Sequence, residues 1–107
     1  MKKQAPTTPR QIDISGNWPL LDTFGHRETE IAAYGVLKFL QEKKRSWKGA
    51  FTKMEAMQNV YKGSLGSFDE GFDELKRRVL IEVLPNNRFR VTQKFIDICY
   101  KYHPVKS

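Results

Sequence analysis

Between Thr52 and Lys94 the spacing of the apolar residues changes once, and that change limits the folds open to the chain. Phe68, Phe72, Leu75 and Val79 recur at i, i+4, i+7 and i+11, a narrow helical stripe. From Val79 onward the period drops to two. Val79-Leu80-Ile81-Glu82-Val83-Leu84 is β-branched and apolar, Pro85-Asn86-Asn87 is a turn, and Arg88-Phe89-Arg90-Val91 alternates basic with apolar. This predicts a hairpin with Phe89 and Val91 inward and Arg88 and Arg90 outward.

Two capping signals precede the hairpin. In Thr52-x-x-Glu55 the hydroxyl accepts from an amide of the new helix, and the carboxylate reaches back to the threonine amide. Phe51 and Ala56 stand at the staple positions around it. The helix opened there is expected from Lys53 to about Tyr61, burying Met54, Met57 and either Val60 or Tyr61. The same pattern returns in Ser67-x-x-Glu70 and predicts a second helix, SFDEGFDELKRRVL, after the glycine-flanked turn Gly63-Ser64-Leu65-Gly66. Two capped helices around one short turn form a helix-turn-helix candidate.

Upstream, Glu28 to Lys44 reads as a helix. At 100° per residue Phe39, Ala32, Val36, Leu40, Ala33, Leu37 and Tyr34 cover more than half of its circumference, so it is a central helix touched on several sides. Glu28 and Glu30 in its first turn and Lys43, Lys44 and Arg45 at its end suit the helix dipole. The same basic cluster can also clamp phosphate. Ser46 to Phe51 is read as a short extended segment. Downstream, Thr92 is placed to cap a last helix, QKFIDICYKY, burying Phe95, Ile98, Cys99 and Tyr102 and ending at Pro104.

Residues 1–22 are interrupted by Pro6, Pro9 and Pro19 and carry Lys2, Lys3 and Arg10. The first ten read as a disordered basic arm. Ile12, Ile14, Trp18, Leu20 and Leu21 are too apolar for a free tail and either finish the core or pair two copies in a homodimer. Residues 23–104 are then one domain, as a length of 107 residues suggests.

Helix, short strand, helix, turn, helix, strand, turn, strand, helix resembles the winged helix, a superfamily widely used by transcription regulators. The resemblance covers Glu28 to Tyr102 and is closest over ELKRRVLIEVLPNNRFRVTQKF; it is one of pattern, without the signature of a particular family. It implies an α+β, mostly helical fold with a three-helix core, a two-stranded wing and a C-terminal helix. Ser67–Arg78 would correspond to the recognition helix and Leu84–Arg90 to the wing.

A net charge of +7 favours a polyanionic partner, and with the resemblance it implies double-stranded DNA. The recognition helix resists that role, because with its stripe inward it presents Glu70, Asp73 and Glu74 beside Asp69 and Arg77. Acids early and Lys76, Arg77 and Arg78 late also suit the helix dipole. The expected contacts therefore move to Arg88 and Arg90 on the wing, Asn86 and Asn87 at its tip, Lys94, Lys53, and the basic helix end Lys76, Arg77 and Arg78. The alternative is a protein-interaction module whose acidic third helix meets a basic partner.

Little suggests an enzyme. His26 and His103 lack metal-ligand spacing, and Cys99 falls on an apolar stripe as a core residue. Gly63-x-x-Gly66 is too short for a phosphate loop and follows a helix. No cofactor and no metal are implied. No apolar run reaches the ~20 residues of a membrane span, and the first residues lack a secretory core. A single cysteine fits a reducing cytoplasm.

Overall fold

A computed structural model of the chain describes residues 24–60 and 62–102, and every structural statement below concerns these. The order is α1 (Arg27–Glu42), β1 (Phe51–Thr52), α2 (Lys53–Met57), a 3-10 turn (Lys62–Ser64), α3 (Leu65–Arg77), β2 (Ile81–Leu84), a 3-10 turn (Pro85–Asn87), β3 (Arg88–Val91) and α4 (Gln93–Tyr102). The fold is thus α+β and mostly helical, with a small antiparallel sheet. The apolar segment 12–21, Tyr61, His103 and Pro104 lie outside the described residues.

α1 is the central helix its wide apolar arc predicts. Ala32, Ala33, Val36, Leu37 and Leu40 are fully buried, and Phe39 nearly so. Two glycine positions set how closely its neighbours approach. A Cβ on Gly35 would stand 2.7 Å from the Ala56 carbonyl oxygen, and one on Gly71 of α3 would stand 1.8 Å from the Glu28 carbonyl oxygen. Backbone therefore meets backbone at two places two turns apart along one face of α1, closer than any larger residue permits.

The first capping box forms as written. Glu55 N donates to Thr52 Oγ1 at 3.1 Å, and Thr52 N donates to Glu55 Oε1 at 2.9 Å. α2 is shorter than expected, ending at Met57, and Met54 is 59% exposed. The cause is the close approach at Gly35. It turns Ala56 to the core, and Met54, two positions earlier, then points about 200° away at 100° per residue.

The second capping box does not form. The 3-10 turn Lys62–Ser64 runs straight into α3, which begins at Leu65, so Ser67 and Glu70 already lie inside the helix. Gly66 is helical as well, and not a turn residue. Phe68, Phe72 and Leu75 are fully buried as their spacing predicts, but Val79 is 61% exposed. The helix stops at Arg77, and Val79 adopts φ 58°, turning its side chain to the outside while Leu80 enters the core.

Both long helices that precede strands end in one geometry. After α3, Leu80 N donates to Leu75 O and Val79 N to Lys76 O; after α1, Arg45 N donates to Leu40 O and Lys44 N to Gln41 O. This is the Schellman arrangement, whose left-handed position favours glycine. Here Val79 (φ 58°) and Lys44 (φ 54°) occupy it.

The expected two-stranded wing is part of a three-stranded sheet ordered β1-β3-β2. The short segment before α2 pairs Phe51 with Phe89 and Thr52 with Arg88, which makes β3 the central strand. α4 closes the base: Phe95 and Cys99 are fully buried, and Trp47 packs edge-on against Phe95 and Tyr100. Trp47 Nε1 donates to Tyr100 Oη at 3.2 Å. Thr92 precedes α4 as expected, and its hydroxyl donates to the Val79 carbonyl at 2.7 Å.

Candidate nucleic-acid interface

The strand register divides the hairpin into two faces. Ile81 opposes Val91 and Val83 opposes Phe89, while Glu82 opposes Arg90 and Leu84 opposes Arg88. Directly opposed residues share a face and successive residues alternate. The inner face is therefore Ile81, Val83, Phe89 and Val91, and the outer face is Glu82, Leu84, Arg88 and Arg90. Phe89 meets Phe72 of α3 edge to face at 4.9 Å between centroids, so α3 lies against the inner face. Val83 shares that face but stands beyond the core near the tip, 66% exposed.

The turn between the strands is exposed. Asn86 (φ 64°) and Asn87 (φ 59°) are both left-handed, a conformation that asparagine tolerates better than most residues. Arg88 follows, exposed and without an acidic partner among the described residues. Arg90 is held differently. Its Nε donates to Glu82 Oε1 across the strands at 2.6 Å, and its terminal nitrogen contacts the same oxygen.

The other expected contact residues fall into separate groups. Lys53 pairs with Asp69 at 2.6 Å and Lys76 with Asp73 at 3.4 Å. Both ammonium groups lie over the Phe72 ring, at 5.7 and 5.9 Å, on the side of the hairpin where α3 packs. Arg77 and Arg78 share Glu74. Arg78 also donates to the Phe24 carbonyl at 2.6 Å, which ties the end of α3 to the start of the described chain. Lys94 donates to the Arg78 carbonyl at 3.2 Å. The hydrogen bond from Arg78, reinforced by the charge of Arg77, holds the Glu74 carboxyl below its usual range.

The acids that crowd α3 are thus largely matched within the domain. Asp69, Asp73 and Glu74 each have a basic partner, and Glu70 is exposed. Exposed Leu65 lies at the start of the same helix, and Met54 follows Lys53 on α2.

One feature on the outer side escapes a reading by periodicity. An open pocket of about 410 Å³ lies between the 46–48 loop, the hairpin and the start of α4. Trp47, Val91 and Ile96 form its apolar wall, and Lys48, Glu82, Arg90 and Gln93 its polar one. Lys48 carried no signal in the sequence, because its neighbours there are distant along the chain. The pairing of β1 with β3 brings it to the hairpin.

His26 contacts Thr29 Oγ1 and Glu28 Oε1, each at 3.1 Å, ahead of α1. Among the described residues no group of His, Cys, Asp and Glu is arranged to hold a metal, and no helix is long and apolar enough to cross a membrane. No protein-family model matches the sequence, and no curated protein or solved structure matches it.

Proposed function

We propose that the chain is a winged-helix domain that binds double-stranded DNA, in the manner of a small transcription regulator, with the β2–β3 hairpin as its wing. The observation that carries this reading is the sheet. β1, from between the first two helices, pairs with β3, the second strand of a hairpin that follows the third helix, and the hairpin projects an exposed Asn86-Asn87-Arg88 tip. Arg88 is available to phosphate without breaking an internal ion pair. The +7 charge supplies the long-range attraction.

The test is fluorescence anisotropy with a labelled duplex across a salt series. Affinity should fall steeply with salt, the slope reporting the number of phosphates contacted. Arg88→Ala should lower affinity several-fold and shallow the slope by about 1. A wild-type protein that ignores duplex DNA at low salt removes the reading.

A second reading has its own support in the exposed Leu65 and Met54 beside the acidic residues Asp69, Glu70 and Asp73. That surface suits a protein partner that is basic with an apolar anchor. Glu70→Lys with Asp73→Lys should then abolish binding of a basic amphipathic peptide while leaving DNA affinity equal or higher. An unchanged peptide affinity removes this alternative.

A further inference from the structure

The two faces of the hairpin differ in how their cations are committed. On the inner side, Lys53, Lys76, Arg77 and Arg78 are each paired with a carboxylate of α3, and Glu70 adds an exposed acid. A phosphate approaching there must break those pairs and meet the acids they release. On the outer side the balance is reversed. Glu82 is the one acid lining the pocket, and Arg90 holds it. Lys48, on the pocket wall, and Arg88, two residues along the same strand face, have no acidic partner among the described residues. Lys43 and Lys44, both exposed, stand just upstream of Lys48 in the chain.

From this asymmetry we propose that phosphate is bound on the outer face of the hairpin, by Lys48 and Arg90 at the pocket and by Arg88 further along the same strand face, and not along α3. The proposal rests on the nucleic-acid reading above and fixes the side of the domain that meets the backbone. The pocket's size admits a phosphate with part of its sugar; Gln93 in the first turn of α4 stands at its wall, where its amide nitrogen donates to Asp97 at 2.8 Å and keeps one further N–H. The Glu82–Arg90 pair gives the site a particular signature. Glu82 holds the guanidinium in place and also repels the ligand, so neutralising it strengthens binding, whereas loss of Arg90 weakens it.

The ligand chemistry is a phosphate monoanion or diester, from nucleic acid or from a free anion, and the experiment separates the two. Anisotropy of a labelled duplex is measured for wild type, Lys48→Ala/Arg90→Ala, Glu82→Gln and Lys53→Ala/Lys76→Ala, with inorganic phosphate as competitor. The outer double variant should lose at least tenfold in affinity and about 2 from the salt slope, at roughly 0.9 per phosphate. Glu82→Gln should bind more tightly than wild type, and the inner double variant should stay within about twofold. Lys48→Glu, at an exposed side chain without an ion pair, guards against a folding artefact and should also lose affinity. If the inner variant loses affinity and the outer one keeps it, the face is wrong while DNA binding stands. If wild type binds no duplex but takes up inorganic phosphate by calorimetry, with the affinity lost in Lys48→Ala/Arg90→Ala, the nucleic-acid reading falls and the outer face is a free-anion site; if it binds neither, both readings fall.

Discussion

Gly71 of α3 lies so close to Glu28 of α1 that a Cβ built on it would stand 1.8 Å from the Glu28 carbonyl oxygen. That oxygen belongs to helix backbone and cannot swing aside. Gly71→Ala should therefore force α1 and α3 apart and cost about 3 kcal/mol, at the upper end of overpacking. Gly35→Ala meets the Ala56 carbonyl at 2.7 Å and the flexible Val60 side chain at 2.9 Å, and should cost less, about 1–2 kcal/mol. Gly66 has nothing within 4 Å of its Cβ position, so Gly66→Ala should stabilise by about 0.5–1 kcal/mol through helix propensity alone. Urea unfolding of the three variants checks the order.

Val79 and Lys44 are left-handed residues at glycine-preferring helix ends. A side chain in that conformation costs roughly 1–2 kcal/mol, and glycine returns part of this as unfolded-state entropy. Val79 buries little, so Val79→Gly should gain about 1 kcal/mol and raise the melting temperature by about 4–8 °C. Lys44→Gly should gain less, because an unbranched side chain is less crowded there. A melting temperature that falls for Val79→Gly would show that its exposed side chain makes a contact worth more than the strain.

The Glu74 carboxyl is held below its usual range by the Arg78 hydrogen bond and then by the Arg77 charge. A carboxylate favoured in the folded state stabilises above the unfolded pKa of about 4.3, and that contribution is lost as pH falls through the lower folded value. Stability should thus drop on acidification below about pH 4.5, and Glu74→Gln should flatten that limb while leaving the neutral-to-basic limb unchanged. Denaturant midpoints taken through the acid range measure it.

Cys99 is fully buried, and burial, aided by the nearby Glu30 charge, pushes its thiol well above the ordinary cysteine range. The thiolate is the reactive form. Native protein should therefore resist a thiol reagent and react only at the rate of global unfolding. Above an unfolded pKa of about 8.5 the unfolded thiol ionises and the native one does not, so stability should decline with rising pH there. Fast labelling in native buffer contradicts the burial.

The sequence carried most of the element order, because period and capping are local. Thr52-x-x-Glu55 formed both of its bonds, since an extended residue precedes it. Ser67-x-x-Glu70 has the same letters but lies inside α3, because the preceding turn is already helical. Met54 and Val79 are exposed against their spacing for tertiary reasons, the backbone contact at Gly35 and the left-handed end of α3. At the candidate site, alternation put Arg88 and Arg90 on one face. What no local pattern shows is that α3 lies behind the other face, that Glu82 claims Arg90, and that Lys48 is brought to the hairpin by β1.

The two close approaches on α1 also have a mechanical consequence. Side chains can repack around a moving helix, but carbonyls seated against Cα atoms leave no slack for sliding. Contacts at Gly35 and Gly71 therefore make α1, α2 and α3 one stiff block. The segments that lead from this block to the sheet are anchored in turn: Trp47 packs against Phe95 and Tyr100, Leu80 is buried, and the carbonyls of Arg78 and Val79 accept from Lys94 and Thr92.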